Sequence, residues 1–279
     1  VDLYLNAIKP QVRPVTFAQY HRYLRRFRFS GNLDAIQPPQ ITDHLTNIDG
    51  LNARSAAYTS LKIFLGWCVQ QDYLRTMPMA KLKKPRVPEP EERLLSDEEL
   101  KAIWAAVEKH SDQRYAAIIK LCMITGQRKG QFASLQERWV DQNTKTISWP
   151  GSIMKNKLPH TIGYGDLTTR VIEKLRATDG HYFSPLTNPG RPFTAWGKCK
   201  ARLDALCPLP PWHVHSLRTT WSTNAARLGI EPHVAELVLS HKAPLGAMAA
   251  RYNRWKYEPE KRAAIIAMER HICAAAIGK

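Results

Sequence analysis

Apolar positions recur at helical spacing through most of the chain. Between Thr16 and Phe27, the residues Phe17, Tyr20, Leu24 and Phe27 share one face, with Arg22, Arg25, Arg26 and Arg28 around the rest. Over residues 55–74, Ala57, Leu61, Phe64, Leu65 and Cys68 form an apolar stripe, so residues 1–82 read as all-helical. The pattern stops at KKPRVPEPEER, residues 83–93, where three prolines fix φ and remove amide donors. Directly beyond, Ser96-Asp97-Glu98-Glu99 has the form of a capping box, followed by Leu100, Ile103, Trp104 and Val107 at helical spacing. One β-like stretch interrupts the helices. Trp139-Val140, a turn at Asp141-Gln142-Asn143, Thr146 to Trp149, and His160-Thr161-Ile162 read as a small antiparallel sheet. Helices are predicted over 167–177, 193–206, 216–229, 231–240 and 256–275. The expected fold class is mainly α: a helical unit (residues 1–84), a proline-rich linker (85–94), and a mainly helical unit with a small antiparallel sheet (95–279).

Charge changes the reading of the helix surfaces. Among 279 residues, 41 Lys and Arg against 24 Asp and Glu leave a net charge of +17, which points to a polyanionic partner, nucleic acid first. The arginines of residues 22–28 would otherwise be an ordinary solvated face; with this excess they read as a phosphate-facing one. No apolar run reaches the roughly 18 residues of a membrane span, and the first ten residues lack a signal pattern. Five cysteines without C-x-x-C spacing read as reduced thiols of a cytoplasmic protein. The chain opens on Val1, so a longer parent chain is expected.

Three separated clusters carry candidate chemistry. The first is Ile124-Thr125-Gly126-Gln127-Arg128-Lys129-Gly130, an apolar helix ending in a glycine turn that presents Arg128. The second is His213-Val214-His215-Ser216-Leu217-Arg218, where His215 and Arg218, three apart at a helix start, suit a phosphate. A metal at His213 and His215 lacks acidic or cysteine partners at ligand spacing. The third is Leu239-Ser240-His241-Lys242, followed by Arg251-Tyr252-Asn253-Arg254.

The order Arg128, His215-x-x-Arg218, His241, Tyr252, in a basic chain behind a helical unit, resembles the tyrosine recombinases, the phage integrase family. The Tyr252-Asn253-Arg254 continuation and the long C-terminal helix are most similar to integrases of P4-type prophages and genomic islands. The resemblance implies a core-DNA-binding domain in residues 1–84 and a catalytic domain in 95–279. It further implies that Arg128 and Arg218 hold the scissile phosphate, that His215 and His241 add hydrogen bonds, and that Tyr252 is the nucleophile. The family's catalytic lysine sits in a β-hairpin turn, matched here by Lys155, with Lys157 two positions away. One departure stands out. The family usually has an acidic residue three positions after the first arginine, and here Gln131 supplies no charge there.

The implied activity is site-specific recombination of double-stranded DNA through a covalent 3′-phosphotyrosine, integrating or excising a prophage or genomic island. Because one phosphodiester replaces another, no cofactor, metal or ATP is expected, and the chain has no G-x-x-x-x-G-K-[ST] loop. The resemblance also implies four protomers on two duplexes, exchanging the helix that carries Ala263, Ile266, Met268 and Ile272, and accessory DNA-bending or directionality factors. Two alternatives are a type IB topoisomerase-like enzyme and a DNA-binding regulator with a decayed site.

Overall fold

The computed structural model of the chain describes residues 1–29, 31–88, 93–185, 187–241 and 255–278. Two compact units divide it, Val1–Pro90 and Glu91–Lys279. The first contains α1 (Asp2–Ile8), α2 (Pro14–Leu24), α3 (Pro38–Thr46) and α4 (Leu51–Gln70), packed around Tyr4, Leu24, Ile41, Leu61 and Leu65. The predicted faces point inward: Leu24, Phe27, Ala57, Phe64 and Cys68 are buried, and Arg22, Arg25, Arg26 and Arg28 are exposed. Helix α4 starts four residues earlier than predicted, after Gly50 at φ +81°. It also ends four residues earlier, where the amides of Tyr73 and Leu74 fold back onto the Cys68 carbonyl.

The second unit opens on the expected capping box. The Glu99 amide donates to Ser96 Oγ (3.2 Å) and the Ser96 amide to the Glu99 carboxylate (3.0 Å). Helix α5 (Asp97–Glu108) then buries Leu100, Ile103, Trp104 and Val107. Helix α6 (Gln113–Thr125) buries ten of its thirteen residues and is therefore the centre of this core, with the short α7 (Lys129–Ala133) after it. The sheet runs β1 (Val140–Asp141), β2 (Thr146–Trp149), β3 (His160–Gly163), antiparallel throughout, with Ile147 opposite Ile162 and Trp149 opposite His160. Helices α8 (Asp166–Ile172), α9 (Trp196–Leu206), α10 (Ser216–Arg227), α11 (Pro232–Val238) and α12 (Glu258–Ile272) follow. All five α-helical spans are shorter than predicted, the last running on as a π-helix over Cys273–Ile277. The Leu175 amide turns back to Ile172 after α8, the Phe193 amide donates to Ala133 before α9, and Ser240 adopts φ +56° after α11.

Helix α12 packs within its own unit. Met268 and Ile272 are buried with Ala264 and Ile265, whereas Ile266 is half-buried and Ala263 exposed, so the four residues grouped from sequence divide between two faces. Two buried charges pin the inner face. Lys261 Nζ donates to the Thr161 carbonyl (2.7 Å), and the Glu269 carboxylate accepts from the amides of Gly165, Leu167 and Thr168 and from the Thr168 hydroxyl (2.7 Å). Glu269 thereby caps α8, whose first amides lack partners within the helix.

Candidate active site

Arg128 owes its position to the end of α6. Gly126 closes that helix at φ +66°, and a Cβ there would lie 2.7 Å from Leu239 Cδ2 and 2.8 Å from the Trp221 ring. The next residue, Gln127, is buried. Its side-chain Nε2 donates to the carbonyls of Val238 (2.7 Å) and Thr125 (3.1 Å), tying this turn to the end of α11. Gln131 holds the turn from the other side: Oε1 accepts from the Arg128 amide (3.0 Å) and Nε2 donates to Gln127 Oε1 (3.1 Å). The residue at the family's usual acidic position therefore supports Arg128 through neutral hydrogen bonds.

Arg218 stands on the first turn of α10, one turn from His215, and is 5% exposed. Its Nη1 donates to the Gly126 carbonyl (2.8 Å), and its Nη2 donates to the Leu239 carbonyl and to His241 Nε2 (2.8 Å). These contacts take three of the five N–H donors of a guanidinium; no described residue takes the other two. Burial, and next the Arg128 charge, bring the Arg218 pKa down to about 10, and Glu236 opposes the shift. Burial also lowers the pKa of Arg128. Both groups remain cationic at neutral pH. Arg128, His215 and Arg218 line one cavity of about 560 Å³ together with Lys129, Trp196, Lys200 and His213. Lys129 lies over the Trp196 ring (4.9 Å) and Lys200 over the Trp212 ring (4.2 Å). Repelling, partly desolvated cations around an open cavity make a site for an anion.

The remaining candidates come from the third cluster and the lysine loop. His241 joins the site through Arg218, and its Nδ1 lies 2.7 Å from Glu236 Oε2. Lys155 is exposed on the loop between β2 and β3, which buried Met154 anchors. Asn156 Nδ2 donates to the Ser240 carbonyl (3.4 Å), which brings this loop to the residue preceding His241. Lys155 is not among the cavity-lining residues, and Lys157 adopts φ +60°. Tyr252 lies outside the described residues. His160, at the foot of the loop, stacks on Trp149 (5.8 Å) and is buried, which drives its pKa down to about 3 and keeps the ring neutral. Three site residues have no signature in the sequence: Gln127, Asn156 and Glu236 are single polar residues whose partners lie on other elements or across a helix end.

Among the described residues no group of acidic, histidine or cysteine side chains could hold a metal ion, and no helix is long and apolar enough to cross a membrane. Comparison with known proteins gives the same grouping as the site. Over 169 residues the chain is 25% identical to the prophage integrase IntZ of Escherichia coli (strain K12), a match covering 59% of this chain and 41% of that protein. The chain thus spans less than half of that relative's length. The fold matches a lambda integrase dimer bound to a COC′ core site with a TM-score of 0.70 and 16% identity, covering 86% of this chain and 93% of that one. It matches the Tn1549 transposon integrase in complex with circular intermediate DNA at 0.62 and 17%, covering 91% and 95%. The Phage integrase family model matches residues 93–258, a span that holds Arg128, Lys155, His215, Arg218, His241 and Tyr252, and the chain belongs to that family.

Proposed function

We propose that this chain is a tyrosine-type site-specific recombinase of double-stranded DNA, acting from the cytoplasm on a prophage or genomic-island junction. The observation that carries the reading is the convergence of Arg128 and Arg218, from segments far apart in sequence, on one cavity with His215. Two guanidiniums and an imidazole there match the non-bridging oxygens of a phosphodiester, and two N–H groups of Arg218 are free of described partners. The fold shared with integrases bound to a core site and to circular intermediate DNA supports the same substrate.

In this mechanism Tyr252 Oη attacks phosphorus while the bond from phosphorus to the 5′-oxygen breaks. The phenol, with a reference pKa of about 10, gives its proton to a base, the role assigned to His215. The departing 5′-oxygen is a strong base and takes a proton from Lys155. Charge that grows on the phosphoryl oxygens is met by Arg128 and Arg218, and losing one such donor typically slows an enzyme about 10²–10³-fold. A second strand's 5′-hydroxyl then reverses the step, releasing Tyr252 and restoring a phosphodiester of similar energy. Residues 1–84 serve as a core-DNA-binding domain, with Arg22, Arg26 and Arg28 toward phosphates, residues 85–94 as linker, and 95–279 as the catalytic domain. Four protomers on two duplexes, with accessory DNA-bending or directionality factors, complete the assembly.

A nicked suicide substrate carrying the core site, resolved on a denaturing gel, tests the reading. The parent chain should form a covalent adduct, and Tyr252→Phe should bind the DNA without forming one. An adduct undiminished in Tyr252→Phe overturns the assignment. Relaxation of plasmid lacking any site, with no recombinant product, points instead to the topoisomerase-like alternative.

A further inference from the structure

The end of α11 places an acidic side chain against the site in a way its place in the sequence does not announce. Ser240 takes a left-handed conformation at φ +56°, its amide donating to the Leu237 carbonyl (3.1 Å), and the His241 amide donates to the Glu236 carbonyl (2.9 Å). These are the two bonds of a Schellman motif, in which the second residue past the helix folds back over the last turn. An apolar contact usually joins those two positions. Here the pair is His241 and Glu236, with Nδ1 and Oε2 2.7 Å apart.

The direction of the proton follows from the other side of the ring. Arginine can only donate, so His241 Nε2, 2.8 Å from Arg218 Nη2, is an acceptor. A neutral imidazole with Nε2 accepting carries its hydrogen on Nδ1, facing the Glu236 carboxylate. Glu236, His241 and Arg218 therefore form one oriented chain of hydrogen bonds, and Arg218 is a wall of the anion cavity. Resting on the recombinase reading above, we infer that Glu236 is a positioning residue: it fixes the tautomer and ring orientation of His241 and, through that ring, the guanidinium of Arg218.

Glu236 and Arg218 thus meet the ring at its two nitrogens, Nδ1 and Nε2.

The experiment pairs a readout independent of activity with the cleavage reaction. Nitrogen-15 spectra of the histidine rings, assigned with His241→Gln, should show Nδ1 protonated in the free parent chain and a mixed tautomer in Glu236→Ala. In single-turnover cleavage of the suicide substrate, Glu236→Ala should lose about tenfold or more in rate with DNA affinity within about twofold. Glu236→Asp should recover part of that rate, which a purely structural role would not require. An unchanged tautomer and an unchanged cleavage rate in Glu236→Ala overturn the inference while leaving the recombinase reading intact. No adduct from the parent chain overturns both. A Glu236→Ala protein that binds DNA as poorly as it cleaves makes the residue structural and also overturns the inference.

Discussion

Substituting Gly126 by alanine should damage stability and the anion site together. A non-glycine residue at φ +66° costs about 1–2 kcal/mol. The added methyl group would also lie 2.7 Å from Leu239 Cδ2 and 2.8 Å from Trp221 Cδ2, inside any real contact. Trp221 cannot retreat freely, because its Nε1 donates to the Ile124 carbonyl (2.9 Å) in the core. Leu239 can shift, but its carbonyl is one of the acceptors that hold Arg218. Overpacking of this kind costs a further ~1–3 kcal/mol, for a total of about 2–5 kcal/mol. For a unit of this size that lowers Tm by roughly 4–20 °C in a thermal melt followed by circular dichroism. A Gly126→Ala chain melting within 1 °C of the parent would refute the reasoning.

Other expectations follow from buried groups. Glu269→Ala leaves the amides of Gly165, Leu167 and Thr168 without their acceptor and should cost about 2–4 kcal/mol, read as a lowered denaturation midpoint; an unchanged midpoint contradicts the capping role. His160 is held near pKa 3 when folded and returns to about 6.5 when unfolded, so the unfolded chain binds the extra proton. Its contribution is complete above pH 6.5 and is lost as pH falls toward 3, with a slope of at most about 1.4 kcal/mol per pH unit. Stability measured against pH for His160→Phe should be flatter across that window, and a parallel curve counts against the neutral ring. Ser240→Gly relieves the left-handed serine at the end of α11 and should raise Tm slightly without loss of DNA cleavage. DNA affinity should fall steeply with salt, and Arg22→Ala with Arg26→Ala should lessen that slope by about two; an unaltered slope removes those residues from the interface.

Local periodicity explains what the sequence made readable. The Ser96–Glu99 capping box, the inward faces of α4 and α5 and the three strands each depend on residues a few positions apart, and the structure has them where the pattern puts them, save that β1 runs one position late, over Val140–Asp141. One helix start was unreadable because a distant group sets it: α9 begins late since the Phe193 amide is committed to Ala133, sixty positions earlier. In the site, the order of arginines and histidines was legible, and Arg128, His215 and Arg218 do meet at one cavity. Their supports were not. Gly126 reads as an ordinary helix cap, and nothing in its neighbours announces Trp221 and Leu239 pressed against it. Gln131 reads as a missing charge until its two hydrogen bonds to the Arg128 turn are seen. Glu236 and His241 meet across a Schellman turn that needs a serine in a conformation serine seldom adopts.

The sharpest check on the covalent chemistry is chemical mapping of the linkage itself. The parent chain is trapped on a nicked core site, digested with protease and nuclease, and analysed by mass spectrometry. A nucleotide phosphate attached to Tyr252 is the expected result. Attachment at Tyr257, at another side chain, or at none would contradict the central claim.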